Sequence, residues 1–115
     1  TRNYGAYQNL VDDPYYRTVI SHGWYKELEN EMKTVSQYHE SIPNVPLLLM
    51  TGERDKITDT AAAKVWLKKQ ELSDYQFKEW KNCFHDLYLE PEREEIFTYS
   101  HSFINNVLRS IGYIV

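Results

Sequence analysis

One cysteine in 115 residues leaves no internal disulfide framework and no cysteine-rich zinc site. Proline and glycine are sparse too, with 4 of each, so a few breakers divide the chain into three long regions. No apolar run approaches the roughly 20 residues that a membrane-spanning helix needs. Basic residues are outnumbered: 13 Lys and Arg stand against 17 Asp and Glu, a net charge of −4. Without a basic patch, nothing points to nucleic acid or an anionic membrane surface as a partner. Neither a Met nor the apolar stretch of a signal peptide opens the chain, which begins Thr1-Arg2-Asn3-Tyr4. A missing upstream portion is therefore expected. The lone thiol suits the cytoplasm, the expected location.

What is present is apolar and aromatic. Hydrophobic residues make up 42% and charged residues 26%, the balance of a globular domain, and aromatics reach 15% with 10 Tyr. The opening region, through Asp12-Asp13-Pro14, reads as loop and turn. From Trp24, after a break at His22-Gly23, apolar residues recur at Leu28, Met32, Val35 and Tyr38. That three-or-four spacing predicts an amphipathic helix.

The run Leu47-Leu48-Leu49-Met50, bounded by Pro46 and Gly52, does not alternate. It predicts a strand buried on both faces of a parallel sheet. A helix capped by Thr58 or Asp59 should follow, carrying Ala61, Ala62, Val65, Trp66 and Leu72. Tyr75 to Trp80 alternates aromatic and polar and predicts a second strand. Glu90-Pro91 then reads as the start of a last helix, with Glu90 as its cap. Its core face is Ile96, Phe97, Ser100, Phe103, Ile104, Val107, Leu108 and Ile111, and Gly112 ends it.

Strand, helix, strand and helix in that order define an α/β arrangement with a right-handed parallel crossover. Two strands do not complete it. A strand as apolar as Leu47 to Met50 calls for a neighbour on each side, and the chain supplies one. The missing strands come from another chain, or this is the C-terminal piece of a larger α/β protein, which is the expectation.

In open α/β sheets, reactive groups collect at the carboxyl ends of the strands. Asp55 follows the first strand and His85 the second, so parallel pairing would bring them together, a carboxylate beside an imidazole. Singly, Asp55 would be a helix cap or a solvated loop acid, and His85 a histidine packed under Phe84 and Tyr88. Glu53 and Arg54 read as a surface pair, Asp86 as solvated, and Cys83 as a small buried hydrophobe. His22, His39 and His101 show no metal-ligand spacing. Tyr4, Tyr7, Tyr15, Tyr16, Trp24 and Tyr25 read as the packed core of a cap, with an acyl-chain pocket as the alternative.

Two motifs together carry a resemblance. Leu47-Leu48-Leu49-Met50-Thr51-Gly52-Glu53-Arg54-Asp55 resembles the acid strand and loop of the α/β-hydrolase superfamily. Phe84-His85-Asp86-Leu87, followed by Glu90-Pro91-Glu92, is similar to the histidine loop of its monoacylglycerol lipase and lysophospholipase branch, which also includes serine aminopeptidase-like members. The resemblance covers roughly residues 43 to 111. It implies residues 1–41 as a helical segment, the tail of a cap, and residues 42–115 as the last strand–helix–strand–helix part of the core. It also implies Asp55 as triad acid, His85 as triad base, no cofactor, no metal, and a lipid-like ester substrate. The nucleophile it implies is a serine on a Gly-x-Ser-x-Gly elbow, upstream of the acid. None of the seven serines from Ser21 to Ser110 has those flanking glycines, so the nucleophile is expected before Thr1 and the chain alone is expected to be inactive. The competing reading is a non-catalytic domain or subunit that completes a partner's sheet, or a degenerate hydrolase.

Overall fold

The computed structural model describes residues 1–38 and 41–115, so His39 lies outside the described residues. Helix α1 spans Tyr4–Val11, where the sequence reading placed loop. It starts because the Asn3 carboxamide oxygen accepts the Ala6 N–H at 3.1 Å. It buries no residue, and its eight residues are too few to show a sustained apolar stripe. A tight turn follows, closed by Tyr16 N–H on the Asp13 carbonyl.

Helix α2 covers His22–Gln37, starting two residues before its apolar stripe indicated and ending one before Tyr38. Ser21 caps it by accepting the Trp24 N–H at 3.1 Å, and Gly23 sits in open space inside the first turn instead of breaking the chain. The stripe itself is exposed: Trp24 retains 55% of its surface and Met32 64%. Tyr4, Tyr7, Tyr15, Tyr16 and Tyr25 are exposed as well, so the expected cap packing is not formed within this chain.

Strands β1 (Leu47–Gly52) and β2 (Tyr75–Trp80) pair in parallel, Leu47 opposite Tyr75 through Gly52 opposite Trp80. Helix α3 (Thr60–Lys69) crosses between them, and Asp59, one of the two expected caps, accepts the Ala62 N–H at 3.0 Å. Its buried residue is Leu67, not one of the apolar positions named from spacing. Helix α4 (Arg93–Ser110) begins past Pro91, after a 3₁₀ turn at Leu87–Leu89. Gly112 then takes φ +93°, the left-handed conformation that terminates a helix without a Cβ penalty.

The two later helices cover opposite faces of the sheet. On one side Tyr99 of α4 meets Trp80 edge-on at 5.7 Å, and Ser100 approaches the Met50 sulfur. On the other, Lys64 of α3 lies over the Phe77 ring. Trp80, Cys83, Leu87 and Ile96 form the buried cluster, with Met50 and Tyr99 against it.

Among the described residues the sheet stops at two strands. Leu47 to Met50 are therefore half-buried, short of the two-sided burial their composition calls for. The radius of gyration is 17.0 Å, where a compact chain of this length would give about 13 Å. The accessible surface of 9280 Å² exceeds the compact expectation by about 40%. No described helix is long and apolar enough to cross a membrane.

Candidate active site

Gly52 decides whether the loops after β1 and β2 can meet. A Cβ on it would stand 2.5 Å from the Cys83 carbonyl oxygen and closer still to that of Phe84, distances that real side chains do not reach. With glycine there, the histidine loop passes directly over the end of β1. Backbone bonds then join the two loops, Glu53 N–H to the Trp80 carbonyl at 2.9 Å and Arg54 N–H to that of Cys83 at 2.8 Å. The Glu53 carboxylate accepts the Asn82 N–H at 2.7 Å, so Glu53 is a loop brace and not half of a pair with Arg54. Asn82 adopts φ +61°, a left-handed turn that asparagine tolerates better than most residues. Lys56 reaches from the acid loop to 5.7 Å over the Phe84 ring.

This crossing brings Asp55 and His85 together. Asp55 Oδ2 and His85 Nδ1 are 2.8 Å apart. The carboxylate is 4% exposed and the imidazole 41%, so one ring edge is held inside while the other faces out. Asp55 Oδ1 accepts the N–H groups of Ile57 and Thr58, and Oδ2 also accepts the Thr58 hydroxyl at 2.6 Å. Burial alone would raise the carboxyl's pKa. The hydrogen bonds from Thr58, His85 and Ile57 outweigh it and hold Asp55 well below the usual carboxylate range.

Tyr88 does not cover the histidine; it stacks on Phe97 at 4.7 Å and its hydroxyl meets Ser100. Asp86 is exposed. Beside His85 an open depression of about 400 Å³ runs along β1, lined by Leu48, Leu49, Met50, Leu87 and Tyr88 among others. At the carboxyl end of that strand, the buried Thr51 hydroxyl finds no partner among the described residues.

Glu90 is the residue that the sequence misassigned. It does not cap α4. Its side chain is fully buried and paired with Arg2, 88 residues away, so no local pattern could have revealed it. Cys83 is buried as expected, and burial, with Glu92 and Glu90 adding to it, pushes its thiol's pKa up. Cys83, Glu90 and Glu92 offer donor atoms within 4.8 Å of one another, yet the Arg2 guanidinium already supplies the cation there. His22 and His101 lie exposed on α2 and α4.

A parallel strand–helix–strand–helix unit with these two loops at its carboxyl end is the closing part of an α/β-hydrolase fold. The structure is similar to a monoacylglycerol lipase from Paleococcus ferrophilus, with a TM-score of 0.77 and 23% identity over 90% of this chain and 41% of the other. In sequence it is 28% identical over 108 residues to phospholipase YtpA of Bacillus subtilis (strain 168), covering 94% of this chain and 42% of that protein. The chain thus spans about two-fifths of the length of the relatives it matches. The family whose model matches is that of the serine aminopeptidases, S33, over residues 1–92. The chain belongs to that hydrolase family.

Proposed function

We propose that Asp55 and His85 are the acid and base of a Ser-His-Asp triad in a hydrolase of carboxylic esters. What carries the reading is the 2.8 Å contact between His85 Nδ1 and a buried, ionised Asp55. Such a contact fixes the tautomer, so that the other ring nitrogen can take a proton, and it stabilises the imidazolium that results. The nucleophile is a serine outside this chain. Its Oγ attacks the ester carbonyl as His85 takes the hydroxyl proton. The histidine returns that proton to the departing alcohol, and water activated by the same nitrogen then releases the acid. No cofactor enters this chemistry.

The substrate class proposed is an apolar acyl ester of the monoacylglycerol or lysophospholipid type; a monoacylglycerol lipase and a phospholipase among the relatives support it. On this reading residues 1–41 belong to the cap and residues 42–115 to the core, and the remaining strands pair along the free edge of β1.

The uncovered β1 edge favours a second reading, a non-catalytic unit that completes a partner's sheet. Treating the longest natural polypeptide that carries this chain with a fluorophosphonate separates the two. Labelling of one serine outside this chain, lost in His85→Ala, supports the hydrolase. A folded polypeptide that takes no label leaves the binding reading.

A further inference from the structure

A fully buried carboxylate is costly unless a cation and donors satisfy it, yet the proposed reaction makes no use of Glu90. Its partner is specific. Glu90 Oε2 accepts Arg2 Nε–H at 2.7 Å and Oε1 accepts the Arg2 backbone N–H at 2.9 Å. The guanidinium continues through Nη2 to Glu92 and lies 3.8 Å from the Cys83 sulfur. Thr1 donates its hydroxyl to the Leu89 carbonyl at 2.6 Å. The same short segment caps α1 through Asn3.

These contacts bracket His85. Its loop is held at Cys83 by the acid loop, through Arg54, and at Leu89, Glu90 and Glu92 by residues 1–2. Between those anchors Leu87 is buried in the core, while the imidazole itself touches Asp55. The planar fork of arginine can hold two carboxylates in fixed directions, which a lysine ammonium cannot.

We propose that Arg2 and Glu90 form a positioning pair. They fix the histidine loop where His85 reaches Asp55, and they tie that geometry to the segment leading into α1 and α2. A shift of the α1 segment is then transmitted to the base through the part-buried Arg2–Glu90 ion pair. The proposal rests on the reading of His85 as triad base.

The test uses the longest natural polypeptide with p-nitrophenyl butyrate as substrate, in three forms: wild type, Arg2→Lys, and Arg2→Met combined with Glu90→Leu. The double variant removes the buried Glu90 carboxylate together with the partly exposed Arg2 charge that satisfies it, a change that proteins often accept without loss of stability. Melting temperature, kcat, KM and hydrogen exchange over residues 83–92 are measured for each. Both variants should fold and exchange faster across the loop. Their kcat should fall by roughly 10- to 100-fold, the scale of a misplaced catalytic group, with KM within threefold of wild type.

A folded variant that keeps kcat within twofold, or that loses activity through KM alone, overturns the pair's role. Unchanged exchange in Arg2→Lys overturns the clamp whatever the activity. A wild-type polypeptide that neither hydrolyses the ester nor takes a fluorophosphonate fails earlier, at the reading of His85, and the positioning role falls with it.

Discussion

Gly52 lies directly beneath the carbonyl of Cys83, in a space where a Cβ would come within 2.5 Å of that oxygen. The two loops that carry the acid and the histidine are therefore in contact only because the last residue of β1 has no side chain. The clash would be with backbone, which cannot rotate away as a side chain could. Gly52→Ala should destabilise the fold by about 3 kcal/mol, the upper range for overpacking a tight site. It should also separate His85 from Asp55. Urea unfolding of the variant, with a midpoint equal to that of wild type, would contradict the steric argument.

Asp55→Asn keeps the side chain's shape but replaces a charged acceptor with a neutral amide facing His85 Nδ1. In the longest natural polypeptide, ester hydrolysis should fall by roughly 10³- to 10⁴-fold in kcat. The protein should remain folded, because the amide oxygen can still accept from Ile57 and Thr58. A variant that retains a tenth of the wild-type rate would remove Asp55 from the triad.

Acid should unfold this protein through identifiable carboxylates. Asp55 and Glu90 both titrate below their ordinary ranges in the folded chain, and in the unfolded chain they recover values of about 3.9 and 4.3. Their contribution to stability is complete above those values and is lost as pH falls through the lowered folded ones. The urea midpoint should drop steadily on going below about pH 4. Glu90→Gln should flatten part of that slope, and a midpoint independent of pH there would refute the assignment.

The free edge of β1 presents unpaired backbone beside half-buried leucines, a template for pairing with another strand. This chain alone should sediment as concentration-dependent oligomers, and Leu48→Lys should shift it toward monomer. A monodisperse monomer at every concentration would show that the edge is self-sufficient.

The elements legible in the sequence are those that carry a sustained apolar pattern, α2 included although it buries no residue here. β1 announced itself by four consecutive apolar residues between breakers, and β2 by its alternation. α4 announced itself by a long 3.6-residue stripe, although Ile96 is its one fully buried position. α1 was missed because its eight residues carry no sustained apolar stripe and only Asn3 marks its start. The beginning of α2 was misjudged because Gly23 reads as a break, whereas Ser21 caps the helix ahead of it. The Asp55–His85 meeting followed from parallel pairing together with the family resemblance. Glu90 was opaque for the opposite reason: a Glu-Pro step before an acidic turn looks like a helix start, and nothing nearby reveals an arginine 88 residues upstream.

That separation also sets an order of events during synthesis. A ribosome adding about 5–20 residues per second delivers Glu90 roughly 4–18 s after Arg2. Throughout that interval the arginine has no buried carboxylate to enter, and β1 waits for β2 as well. The anchors on both sides of His85 close only when the residues through Glu92 have been made. The histidine loop can thus be fastened to the α1 segment only after Glu90 has been added, and a nascent chain stalled before Glu90 would leave that loop without its Arg2 anchor.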